Sequence, residues 1–528
     1  MRINQPLDAL IRGGFVIDGT GNPARRADVA IKGDRIVDVG LFEGASAEVL
    51  VDARGKLVTP GFVDVHSHTD STIQLNPLAQ SSIRQGITTE IVGNCGGTML
   101  KVGGFSDFFD TTSIGGSLSA LFTHLESTGI SPNLAYLMGH NTLRMRAGVS
   151  GDIPSPEAEA AMERDLRAAM EAGAFGLSTG LEFDPGRLAS IGEVAKLALA
   201  AARCGGLYVS HIRNRDARLM EAVDEFIGIV AKAGCRGQIS HLNVRENTGA
   251  PEDGWARAVE RMESARANGL DIEADMTPLN YGTGGLLTLL PPWIRAEGNA
   301  RAAELLQGAE TRRRLRGDCD RYWRFISRGE WNRVRVQNAP GYPELGGLTF
   351  PEIARQWGKD EWECLFDIMA AALERNSGAS AIGRLFSDAH MRETIGHPLF
   401  SLGVDGCSTE ISGPVAATTP FPLHYMGMIH YLTFHVKVAK VLRLEEAIRK
   451  MTSMAAAHFS LKGRGLLREG CYADIVVMDY NALDEVSTIE QPFAYCKGVE
   501  QVFVNGARVI CGGEHTGATP GRCLRRSD

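Results

Sequence analysis

Apolar and polar residues alternate in short runs near both ends of the chain, while the long middle alternates apolar runs of strand length with stretches of helical period. Over residues 10–51, FVIDGTGNPARRADVAIKGDRIVDVG places Val29 and Ile31, then Ile36, Val37 and Val39, in short strands between turns. This is the pattern of antiparallel β-structure. The same texture returns in GRGLLREGCYADIVVMDY and VEQVFVNGARVI. Residues 1–61 and 459–528 are therefore predicted to build one small β-sandwich from both chain ends.

From residue 62 to about 406 eight apolar runs stand out: GFVDVHSH, ITTEIVGNC, NLAYLMGH, AFGLSTGL, LYVSHIR, GQISHLN, LDIEADMTP and FSLGVDG. Helical stretches separate them, among them SPEAEAAMERDLRAAMEAG and EVAKLALAAARCGG, both ending at glycine as a helix C-cap favours. Eight βα units predict an α/β fold, a (β/α)8 TIM-like barrel with catalytic groups at the C-terminal strand ends. Strands one to seven fall within 62–283, and strand eight with the last helices within 398–458. Residues 284–397 are too long for one βα loop and carry PPW and two further helical runs, so an inserted lid or subdomain is expected there. No fixed-period repeat or low-complexity segment appears.

Bulk properties narrow the function. A chain of 528 residues, 44% hydrophobic and 22% charged, suits a globular protein with more than one structural unit. A net charge of −8 without a basic run disfavours nucleic acid and points to a small-molecule substrate. The start, MRINQPLDALIRGG, lacks a signal-type apolar core and no run is long enough to span a bilayer, so a cytoplasmic protein without a membrane partner is expected. The ten cysteines form no CxxC pair and no evenly spaced framework.

The chemistry lies at the strand ends. In a strand, residues two apart point the same way, so His66 and His68 would aim two imidazoles at one point and could share a metal ion. Strand two ends near Cys95, strand five at His211, strand six at His241 and strand eight at Asp405. All would face one rim of the barrel, and together they predict a metal centre.

In these residues the chain resembles the amidohydrolase superfamily, through PGFVDVHSH, SHIR, ISHLN and LGVDG. GNCG, GHNTLR, STGLEFDPG and the stretch from RLEEAIRKMTS to TGATPGRCLRR resemble its N-acyl-D-amino-acid deacylase branch. The resemblance covers nearly the whole chain and implies the barrel with an end-built β-sandwich. Many two-metal relatives bridge their ions with a carboxylated lysine from strand four, but no lysine occurs between Lys101 and Lys196. The deacylases use a strand-two cysteine instead, where Cys95 stands, and thiolate favours zinc. The resemblance thus implies that Cys95, His211 and His241 hold a tight Zn2+, with His66 and His68 forming a second site that is weak or empty. It also implies that Asp405 acts as general base and then general acid in hydrolysing a linear N-acyl amide.

The substrate side departs from the branch pattern. Asn243 stands where a lysine usually holds the substrate carboxylate, Leu279 and Phe183 stand for tyrosines, and TPFPLHYMG replaces an HPR segment. Asn243, Leu279 and Phe183, with His140, are candidate substrate contacts, and Arg213, Arg215 and Arg245 are candidates to replace the missing cation. Losing a cation and two hydroxyls removes charge-assisted hydrogen bonds worth roughly 1.5–3 kcal/mol each, which favours a bulkier or uncharged amide, such as an antibiotic or xenobiotic, as the alternative substrate. A cyclic-amide hydrolase would want the absent lysine, a non-catalytic scaffold would have lost ligands, and an isoaspartyl or D-peptidase would share the metal chemistry.

Overall fold

The eight apolar runs become parallel strands because they are buried almost throughout, as strands covered on both faces must be. A computed structural model describes residues 6–100, 116–149, 151–319, 323–413, 415–416 and 420–527; Thr419 of the TPFPLHYMG segment lies outside them. The barrel strands are β1 (Phe62–Asp64), β2 (Ile87–Val92), β3 (Asn133–Gly139), β4 (Gly176–Gly180), β5 (Leu207–His211), β6 (Gly237–Ile239), β7 (Ile272–Met276) and β8 (Phe400–Leu402). Each pairs in parallel with the next. Between β8 and β1 the ring closes beyond the regular strands. There Asp405 N–H donates to His66 O at 2.8 Å and His68 N–H to Gly406 O at 2.7 Å, around a parallel bridge from Ser67 to Gly406.

Alternating side chains divide into two layers. Val63, Val65, Ile91, Leu137 and Val209 fill the barrel with Phe459 and Leu461, whereas Phe62, Val92, Tyr136, Met138 and Tyr208 pack in the outer core with the helices. Each large side chain so buried contributes roughly 1.5–3 kcal/mol. Local signals set the helix ends: Ser155 caps Pro156–Ala172 by accepting from Ala158 N, and Gly173 ends it in the left-handed conformation. Ser190 caps Ile191–Arg203 in the same way.

Strands from both chain ends form one hydrogen-bonded sheet, joined where Leu57–Pro60 pairs antiparallel with Ile475–Met478. Apolar faces of Leu7–Val16, Arg25–Lys32 and Ile475–Met478 enclose a core of its own. One feature lacked any sequence signal: Cys523–Leu524 adds in parallel to the start of β3, docking the chain end at the base of the barrel. Between β7 and β8 lies a three-stranded antiparallel sheet of Tyr281–Gly285, Ser380–Arg384 and Val334–Asn338, with helices that include Phe350–Trp357 and Glu361–Glu374. Among the described residues no helix is long and apolar enough to cross a membrane, and no disulfide forms.

Candidate metal centre

The side chains predicted to ligate converge. Cys95 Sγ lies 3.3 Å from His66 Nε2, 3.5 Å from His211 Nδ1 and 3.4 Å from His241 Nε2. Asp405 Oδ1 is 3.3 Å from His68 Nε2 and 3.5 Å from His66 Nε2. Three overlapping groups emerge whose ligand atoms all lie within 4.8 Å of one another: His66, His68 and Cys95; Cys95, His211 and His241; His66, His241 and Asp405. The two histidines of the HSH segment are not equivalent strand neighbours as the period-two argument expected. β1 ends at Asp64, so both follow it, with His66 fully buried and the His68 side chain 34% exposed.

Backbone strain holds three of these residues. Cys95, His241 and Asp405 all have positive φ, at 50°, 34° and 54°, a conformation costing a side-chain-bearing residue roughly 1–3 kcal/mol. The Cys95 turn is accommodated by a missing side chain opposite: a Cβ on Gly180 would stand 2.1 Å from Cys95 O. Buried carboxylates anchor the other turns. Asp64 Oδ1 accepts from the N–H groups of His66 and Val404 at 3.0 and 2.9 Å, joining the segments after β1 and β8. Asp275 Oδ1 accepts from His241 N–H at 2.7 Å and lies 3.5 Å from His66 Nδ1.

Glu182, just beyond β4, completes the set. Its Oε2 accepts from His211 Nε2–H at 2.7 Å, leaving Nδ1 to face Cys95. Arg245 grips the same carboxylate with both terminal nitrogens, at 2.9 and 2.6 Å. A histidine whose second nitrogen is tied to a carboxylate is the usual support of a metal ligand. Neither Glu182 nor Asp275 was singled out from sequence. The signal available was an acid directly after, or inside, an otherwise apolar strand.

Electrostatics sort the groups. Burial alone would push the Cys95 thiol up, but His66, His241 and His211 outweigh it and hold it well below the usual thiol range. Cys407, also on the cavity wall, is pushed up to about 12 by burial, with Glu90 and Asp70 adding to the rise. Burial would likewise raise Asp405, yet His241, His66 and His68 keep it ionised. Burial and then Arg215 lower His241 to about 4. His68 rises to about 10 because Asp405 and Cys95 outweigh burial. A thiolate and a carboxylate that draw protons onto imidazoles would equally attract a divalent cation, which expels those protons on binding. Thiolate with imidazole is a donor set that suits zinc.

A cavity of about 280 Å³ opens over the cluster, lined by His68, Cys95, His211, His241, Asp405 and neighbours that include Phe183, Arg215 and His424. Of the predicted substrate contacts, Phe183 lines it, with its ring 4.5 Å from that of His211. The others have structural partners. Asn243 is fully buried, accepting from Thr277 N–H at 3.1 Å, and Leu279 packs in the core. His140 pairs with Glu193 at 2.8 Å. Arg213 is held by Glu225 and two backbone carbonyls, and Arg245 by Glu182. Arg215 is the one of the three candidate arginines on this cavity's wall, with Nη1 donating to His241 O at 2.8 Å and lying 2.9 Å from its Nδ1.

Comparison with known proteins places the whole chain beside deacylases. The chain is 32% identical to N-acyl-D-glutamate deacylase of Alcaligenes xylosoxydans xylosoxydans, covering 99% of this chain and 98% of that one. It is 29% identical to D-aminoacylase of the same organism, over 99% of both. Among solved structures, N-acyl-D-glutamate deacylase from Bordetella bronchiseptica, complexed with zinc and a phosphonate mimic of the tetrahedral intermediate, superposes with a TM-score of 0.81 at 29% identity, over 99% of this chain and 100% of that one. The Amidohydrolase family matches residues 49–276 and 296–510. Covering most of the barrel and much of the end-built sheet, that match establishes that the chain belongs to the amidohydrolase family.

Proposed function

We propose that this protein is a zinc-dependent deacylase that hydrolyses the linear amide of N-acyl-D-amino acids. The observation that carries the reading is Cys95 Sγ, set 3.3–3.5 Å from three imidazole nitrogens beside an ionised Asp405 at a cavity floor. Cys95, His211 and His241 would hold the tight metal, and His66 and His68 a weaker one. A divalent metal there supplies Lewis-acid polarisation of the amide carbonyl and acidifies water.

The chain's own groups do the rest. Asp405, ionised and within reach of His66 and His68, accepts the proton of the attacking water and returns it to the leaving nitrogen. Phe183 shields one side of the site from water. Arg215, on the cavity wall, takes the substrate carboxylate, the role for which Arg213 and Arg245 were also candidates. A cavity of about 280 Å³ lies just below the range of roughly 300–1,000 Å³ typical of pockets for drug-sized ligands. Size therefore favours a small N-acyl amino acid over a bulky antibiotic or xenobiotic.

The test is a screen of zinc-loaded enzyme against N-acyl-D-amino acids, their L-enantiomers and uncharged secondary amides, with Arg215→Met alongside. Turnover of the D-series is expected, with Arg215→Met raising KM for carboxylate substrates more than for uncharged amides. Preference for uncharged amides, or an Arg215→Met effect of equal size on both classes, would overturn the assignment.

A further inference from the structure

The opposite end of the barrel holds a second group of potential ligands. Asp271 immediately precedes β7, Glu273 is the second residue of that strand, and His458 ends the short helix Ala455–His458. One ligand atom from each lies within 4.8 Å of the others. His458 is buried, at 4% exposure, and its Nδ1 stops 3.6 Å from Glu273 Oε2, beyond hydrogen-bond length. Neither ring nitrogen of His458 has a hydrogen-bond partner, and neither has Glu273 Oε2. Leaving a buried polar atom unpaired costs roughly 1–3 kcal/mol, so His458 Nδ1 and Glu273 Oε2, facing each other across 3.6 Å, call for a shared partner.

The surroundings carry positive charge, and each charge is engaged. Arg236 donates to the carbonyls of Ala457 and His458 and to Ser460 Oγ. Arg266 donates to Ile272 O at 2.8 Å and Asp271 Oδ1 at 3.2 Å. Arg449 is paired with Glu446 at 2.7 Å. All three hold acceptors of their own and leave Glu273 Oε2 and the His458 ring unpaired. A half-buried carboxylate, a buried imidazole and an exposed carboxylate that opens the group to solvent make a donor set for a borderline divalent cation.

We propose that Asp271, Glu273 and His458 form a divalent-cation site at the N-terminal mouth of the barrel, separate from the catalytic cluster. Burial, with Asp271 beside it, lifts Glu273 to about 7 despite the arginines, and burial lowers His458 to about 4. Above neutral pH, protons therefore compete weakly for either group. The bound ion ties the start of β7 to the segment that leads into the C-terminal strands, and so adds stability by mass action. It has no part in hydrolysis.

The experiment uses full-length, zinc-loaded enzyme titrated with Mn2+ at pH 8, reading bound manganese by electron paramagnetic resonance and Tm by calorimetry. The variants are Asp271→Asn, whose exposed side chain makes it safe for folding, and His458→Gln. Wild type is expected to bind one Mn2+ per chain that Asp271→Asn binds at least tenfold more weakly, with a Tm rise present only in wild type. Activity of zinc-loaded Asp271→Asn should be unchanged. Unaltered Mn2+ affinity in Asp271→Asn, or no manganese beyond what the catalytic cluster binds, would overturn the proposal and leave Glu273 and His458 sharing a proton.

Discussion

His211 donates its Nε2 proton to Glu182 at 2.7 Å, and this bond decides which ring nitrogen faces Cys95. Glu182→Gln keeps the shape but lacks the charge that favours the required tautomer. Metal affinity should fall roughly 10–100-fold, measured by competition with a chromophoric chelator. Glu182→Ala should in addition cost roughly 3–5 kcal/mol in denaturant unfolding, because it leaves the buried Arg245 guanidinium without its bidentate partner. Wild-type affinity in Glu182→Gln would show that His211 needs no such support.

Asp405 Oδ1 lies within 3.5 Å of both His66 Nε2 and His68 Nε2. The role of proton carrier proposed for it predicts that Asp405→Asn lowers kcat roughly 100- to 10,000-fold while bound zinc stays at the wild-type level. Steady-state kinetics with elemental analysis of the same preparation separates the roles: joint loss of zinc and kcat would make Asp405 a ligand first.

Gly180 makes room for the Cys95 turn. A Cβ there would sit 2.1 Å from Cys95 O and 3.1 Å from the Phe183 ring. Gly180→Ala should displace Cys95 and lower zinc affinity, with an overpacking cost of roughly 1–3 kcal/mol. Gly234→Ala serves as control, since nothing lies within 4 Å of its added carbon. Its φ of +65° predicts a backbone cost without any loss of zinc.

Lys450 is fully buried and donates to Ile395 O at 2.6 Å and His397 O at 2.7 Å. Burial nevertheless pushes its pKa down to about 7. The unfolded chain, with a lysine near 10.4, then binds more protons between pH 7 and 10, so stability must rise with pH across that window. Urea unfolding at pH 7 and 9.5 should show a gain of roughly 1–3 kcal/mol that Lys450→Met abolishes. An unchanged slope in the variant would mean that the ammonium stays charged on its two carbonyls.

The convergence of the side chains at the candidate metal centre was readable from the chain because strand periodicity reveals strand ends, and a TIM-like barrel gathers those ends on one face. His66, His68, Cys95, His211, His241 and Asp405 all meet there. Glu182 and Asp275 were not readable, since an acid beside an apolar strand does not announce its partner. Arg213, Arg215 and Arg245 could not be ranked for a similar reason. Glu225 and Glu182 engage the first and third, and those acids lie 12 and 63 residues away from them.

By itself the sequence determined the barrel, the β-structure built from both chain ends and the identities of the converging side chains. These follow from hydrophobic period and residue chemistry, which are local. Only the tertiary structure decided that the barrel closes through the HSH and VDG segments, that Cys95 is the atom shared among three imidazoles, and that Arg215 reaches the cavity. Those relationships depend on contacts between residues far apart in the chain, whose geometry no local pattern encodes.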